Sequence, residues 1–140
     1  MKIKSIAAAL VSLTIFSIPV EVQAQITESM SYLLQRASDE LPNHYMSDSV
    51  EGYLSAGESE LYRLDLTPGV EYTFMAACDS DCSDIDFAIL YDGQEVIART
   101  EVDDFPTQVF TPLASGYSIQ VKMHSCRTKV CGFALGLFVD

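Results

Sequence analysis

Gly116-Tyr117-Ser118-Ile119-Gln120-Val121-Lys122-Met123 and Gly132-Phe133-Ala134-Leu135-Gly136-Leu137-Phe138-Val139 decide the fold. In the first stretch Tyr117, Ile119, Val121 and Met123 alternate with polar residues. In the second, Phe133, Leu135, Leu137 and Val139 take every other place. A period of two sets each group on one face of an extended strand. The same period recurs upstream, with Tyr62, Leu64 and Leu66 against Arg63 and Asp65 in 60–66, and with Tyr72, Phe74 and Ala76 in 70–77. Residues 85–91 are apolar on both sides apart from Asp86, the pattern of a central strand. Thr67-Pro68-Gly69 is a turn signal, and Asp92-Gly93 is a hairpin signal leading into 95–100. With 50–56 and 108–111 added, about eight short strands follow one another at roughly ten-residue spacing, which predicts an antiparallel sandwich or barrel. Glycine-rich phosphate loops and βαβ units are absent.

Ahead of the strands, Met30, Leu33, Leu34, Ala37 and Leu41 continue from Ile26 at spacings of three and four. That stripe predicts one amphipathic helix over 26–41, with Thr27 or Ser29 capping its start and Pro42 past its end. It serves either its own core or a docking partner, and 43–49 reads as linker. Earlier still, Lys2 and Lys4 precede the apolar run 6–18, followed by Pro19 and the small-residue exit Val22-Gln23-Ala24. This is the pattern of a secretory signal peptide cut after Ala24. The run is too short to span a membrane. Residue 25 is Gln rather than Cys, so no lipoprotein anchor is expected. The expected organisation is a leader 1–24, a helical lead-in and linker 25–48, and a β-domain 49–140, in a periplasmic or secreted protein.

The chain has 140 residues, with 20 acidic side chains against 8 basic and a formal net charge of −12. Loss of the leader takes Lys2, Lys4 and Glu21 with it, leaving 6 basic and 19 acidic residues, a net of −13. Such a surface repels nucleic-acid phosphates and anionic membranes. The four cysteines form two close pairs, Cys78 with Cys82 and Cys126 with Cys131. In an exported chain they predict two disulfides rather than a zinc site. Three pairings are open. The local one is preferred because Arg127-Thr128-Lys129-Val130 reads as a hairpin end. Loop entropy does not decide it: a short local loop stabilises by about 2 kcal/mol and a clasp of roughly 50 residues by about 4.

The sharpest chemical feature is Asp79, Asp81, Asp84 and Asp86, crowded within eight residues around Cys82. Carboxylates on a pinned loop repel one another unless solvated or neutralised, so they are candidate ligands for calcium, with Asp103 and Asp104 as second-loop members. The spacing is not that of an EF-hand. The alternative is a solvated acidic turn with Asx geometry. Catalytic signals are missing: there is no G-x-S-x-G elbow, no unpaired thiol, and His44 and His124 read as surface residues. Tyr45, Tyr53, Tyr91 and Phe138 are the loose aromatic candidates for a glycan surface.

The order of these segments has a parallel. Gly57-Glu58-Ser59-Glu60-Leu61-Tyr62-Arg63-Leu64-Asp65-Leu66-Thr67-Pro68-Gly69, then Tyr72-Thr73-Phe74, then Asp84-Ile85-Asp86-Phe87-Ala88-Ile89-Leu90-Tyr91, then Ser115-Gly116-Tyr117-Ser118-Ile119-Gln120-Val121 resembles the bacterial pre-peptidase C-terminal (PPC) domain across about residues 50–139. The resemblance implies a jelly-roll-like β-sandwich on exported proteins, with roles in secretion or in substrate or matrix binding. In some members calcium sits at acidic loop positions, matched here by Asp84 and Asp86. A protease domain is missing and the cysteine pairs are extra. The expectation is therefore a non-enzymatic binding or accessory module for a glycan or protein ligand, bound through 78–86 and 101–106. The rival is an assembly subunit that docks through its helix.

Overall fold

A computed structural model describes residues 2–5, 20–99 and 102–140. The apolar leader run 6–18 therefore lies outside the described residues, as do Thr100 and Glu101. Nine strands and one helix are present among the described residues: β1 Ile3–Ser5, α1 Val20–Glu40, β2 Tyr45–Leu54, β3 Ser59–Leu64, β4 Tyr72–Cys78, β5 Cys82–Tyr91, β6 Gln94–Arg99, β7 Thr107–Phe110, β8 Tyr117–Cys126 and β9 Cys131–Val139. The fold is an antiparallel β-sandwich with an N-terminal helix. Its sheets run β1-β3-β8-β5-β6 and β2-β9-β4-β7.

The pairing has a simple logic. β2 pairs with β9, β3 with β8, β4 with β7 and β5 with β6, all antiparallel. The chain is thus one long hairpin, turned at Asp92-Gly93 and rolled so that successive pairs alternate between the two sheets, which is a jelly roll. Asp92 and Gly93 both have positive φ, 51° and 76°, as a two-residue turn twisted to match its strands requires. The core between the sheets holds Tyr62, Phe74, Ile85, Phe87, Ile89, Ile119, Val121, Met123, Phe133, Leu135 and Leu137, all buried.

Four local expectations need correcting. The helix starts at Val20, so Thr27 and Ser29 lie inside it rather than capping it. The linker 43–49 is mostly strand: Tyr45 faces Val139 and Ser49 faces Gly136 in β2, with a bulge between Met46 and Asp48 that hides the alternation. β8 and β9 are not a hairpin, because Cys126 and Cys131 end strands in different sheets. Phe138 is not an exposed aromatic but 3% exposed under the helix.

The helix lies across the outer face of the four-stranded sheet. Leu33 and Ala37 pack against Met75, Ala77, Ala134 and Phe138, with Phe105 alongside. This explains why β4 and β9 are buried on both faces. Gly136 makes the fit possible: a β-carbon there would stand 2.9 Å from Leu33 Cδ2. The helix thus places its apolar stripe on its own domain.

Candidate functional site

The two ends of the sandwich differ. At one end lie the connections 55–58, 79–81 and 127–130, together with both disulfides, Cys78–Cys82 and Cys126–Cys131. Each bridge spans a crossing from one sheet to the other, β4 to β5 and β8 to β9. Cys82 and Cys126 face each other in register, so both bridges share this end. The acidic loop sits among them.

Its carboxylates do not converge. Asp79 is buried, and its two oxygens accept N–H groups from Asp81 at 3.0 Å and from Gly132 at 2.9 Å. Burial raises its pKa, against the pull of those two hydrogen bonds. Asp81 stands 3.6 Å from the Arg127 guanidinium, which also donates to the Ser80 carbonyl at 2.8 Å. Asp103 uses its carboxylate on the Phe105 N–H and its carbonyl on the Ile85 N–H, each at 2.9 Å. The loop is an Asx-type pin whose polar groups are satisfied within the fold.

Asp84 and Asp86 do come together, on the outer face of the five-stranded sheet. His124 lies over them, its Nε2 at 4.0 Å from Asp84 Oδ2 and its Nδ1 at 3.9 Å from Asp86 Oδ2. Both distances exceed a hydrogen bond, and the imidazole is 58% exposed. Burial and the neighbouring Asp84 carboxylate raise the pKa of Asp86, with His124 opposing. Its Oδ1 is buried without a hydrogen-bond partner among the described residues. Among those residues no group of three His, Cys, Asp or Glu side chains is arranged to hold a metal ion. The four candidate calcium ligands are therefore split between a turn pin, a surface ion pair and an outward-facing dyad.

The opposite end carries 65–71, the 92–93 hairpin and 111–116. In sequence these loops carry turn signals but no charge cluster that would mark a site. Here the Gly69 N–H donates to the Pro112 carbonyl at 2.9 Å, tying the first loop to the third. The Tyr72 hydroxyl accepts the Thr67 N–H at 2.9 Å, and the Tyr117 hydroxyl accepts the Leu113 N–H at 3.4 Å. Beneath them Tyr117 contacts Tyr91 and Phe110, with ring centroids 4.9 and 5.1 Å away. On this tethered backbone Leu113 is 88% exposed, and Val70, Val109 and Tyr91 are also exposed near the same end. The outward Pro112-Leu113 tip was the available signal, an apolar residue in a loop.

The remaining aromatic candidates are scattered. Tyr45 and Tyr53 are exposed at opposite ends of β2, and Tyr91 belongs to the other sheet. They form no shared platform.

No family model matches the chain. No curated relative matches it either. Among solved structures, it is similar to PliG of Aeromonas hydrophila, a periplasmic inhibitor of g-type lysozyme. The identity is 16% and the TM-score 0.44, over 66% of this chain and 84% of that one. No helix among the described residues is long and apolar enough to cross a membrane.

Proposed function

We propose that the protein is an exported, non-enzymatic binding module that holds a basic protein partner through the loops at the end of the sandwich away from its disulfides. The observation that carries this is Leu113, an almost fully exposed leucine on a loop whose backbone is fixed by Gly69 and Tyr117. An apolar tip on a fixed loop meets a partner at little ordering cost. The formal charge of −12 favours encounter with a cationic partner. Export is supported by the leader pattern and by two disulfides, which persist in oxidising compartments. A PPC-type relationship belongs to the same proposal and rests on the motif order across 50–139.

The test is a binding array of basic secreted hydrolases that includes a g-type lysozyme, the enzyme for which the compared inhibitor is named. Binding that weakens with salt, and that falls about tenfold or more in Leu113→Asp, is the expected result. No binder on the array, or a binder indifferent to Leu113→Asp, overturns the reading.

A further inference from the structure

Residues 3–5 lie within the expected leader, yet they form a strand of the sandwich. β1 pairs with β3, setting Ile3 opposite Leu64, Lys4 opposite Arg63 and Ser5 opposite Tyr62. Ile3 packs against the main core, its N–H donates to the Asp48 carboxylate, and the Lys2 carbonyl accepts the Asp65 N–H at 3.0 Å. Cleavage after Ala24 removes this strand and leaves the backbone groups along that side of 62–65 without their partner. We propose that this edge is an acceptor for an extended segment of a partner protein, and that β1 occupies it only in the uncut chain.

Three observations define the occupant. The edge already takes an extended segment in a fixed antiparallel register, the geometry of strand addition. Opposite Leu64 it accepts an apolar side chain that reaches the core. Its charges then discriminate. Lys2 lies near Asp65, an attractive arrangement, whereas Lys4 stands directly across from Arg63, and like charges across a ladder destabilise it. The leader is therefore an imperfect occupant, and the preferred segment reads basic, apolar, acidic. Two copies of the cut chain, each at −13, repel one another, which favours a different protein over self-association. The groove beside the edge is also lined by Ser115 and Gly116, so it adjoins the loop that carries Leu113. The proposal does not depend on Leu113.

The experiment uses the full chain carrying Ile3→Asp, whose own strand no longer seats. It is titrated with labelled peptides, and the site is mapped by amide chemical shifts. Met-Lys-Ile-Glu-Ser-Ile is expected to bind saturably, with shifts centred on 59–65. The version with Lys in place of Glu binds about two- to fivefold more weakly, and the version with Asp in place of Ile about tenfold or more weakly. Because the Asp65 N–H points to the edge, the Arg63 N–H two residues earlier points there too. Arg63→Pro, tolerated on an edge strand, removes that donor and abolishes binding. No binding at millimolar peptide, shifts centred on β6 or β7, or binding unchanged in Arg63→Pro overturns the proposal. Dimerisation of the Ile3→Asp chain that excludes the peptide also overturns it, giving the edge to a second copy. Unchanged peptide binding in Leu113→Asp separates this site from the loop reading.

Discussion

Asp79 at one end of the sandwich is 2% exposed, with both carboxylate oxygens accepting backbone N–H groups. Leu113 at the other end is 88% exposed on a loop held by backbone tethers. The disulfide end has the chemical signature in sequence and is structural in three dimensions. The Leu113 end is bland in sequence and offers the accessible apolar surface. A charge cluster announces a ligand only when its carboxylates remain free and convergent. Around the disulfides Asp79 is taken up by two N–H groups and Asp81 stands beside Arg127, while Asp84 and Asp86 lie apart from them under His124.

The largest way to break this comparison is to reduce both disulfides. Each closes a loop with a sequence separation of 4 or 5, worth about 2 kcal/mol. Melting should fall by more than about 10 °C for the pair. A reduced chain that melts unchanged would deny the end its structural role. Leu33→Ala, remote from both ends, calibrates ordinary core loss at about 3 kcal/mol by denaturant titration. A neutral result would return the helix to the role of a partner-docking element.

Smaller effects sharpen the contrast. The folded-state pKa of Asp86 is raised by burial and by Asp84. Between the ordinary carboxylate value and that raised value the folded chain holds more protons than the unfolded one. Its contribution to stability therefore falls as pH rises through that window, and the cost is fully present above the raised value. Asp86→Asn should melt higher than the parent at neutral pH, by about 2 °C given solvent screening, with the gap closing on acidification. A constant gap across pH would contradict the assignment. Smallest of all, millimolar calcium against chelator should move the melt by less than about 1 °C. A bound site at about 100 times its dissociation constant would add about 2.7 kcal/mol.

Much of this fold was legible. The four alternating segments, the apolar run 85–91, the Asp92-Gly93 turn and the helical stripe all have local signatures that the tertiary structure uses rather than overrides. The start of β2 was not, because its bulge breaks the period of two. The hairpin reading of 126–131 failed because a short loop between strands specifies closeness of their ends, not pairing in one sheet. The helix seat on β9 has only a faint signature, the small residues Ala134 and Gly136 on the strand's outer face. The candidate site was least legible, since exposure of Leu113 and satisfaction of Asp79 are both properties of distant partners.

The most direct test places one truncation at each end and compares melting of the oxidised chain. Asp79→Ala leaves the Asp81 and Gly132 N–H groups without their acceptor and should cost about 2 kcal/mol, or about 8 °C. Leu113→Ala should stay within about 2 °C of the parent. A neutral Asp79→Ala beside a strongly destabilising Leu113→Ala would invert the assignment of the two ends and contradict the account.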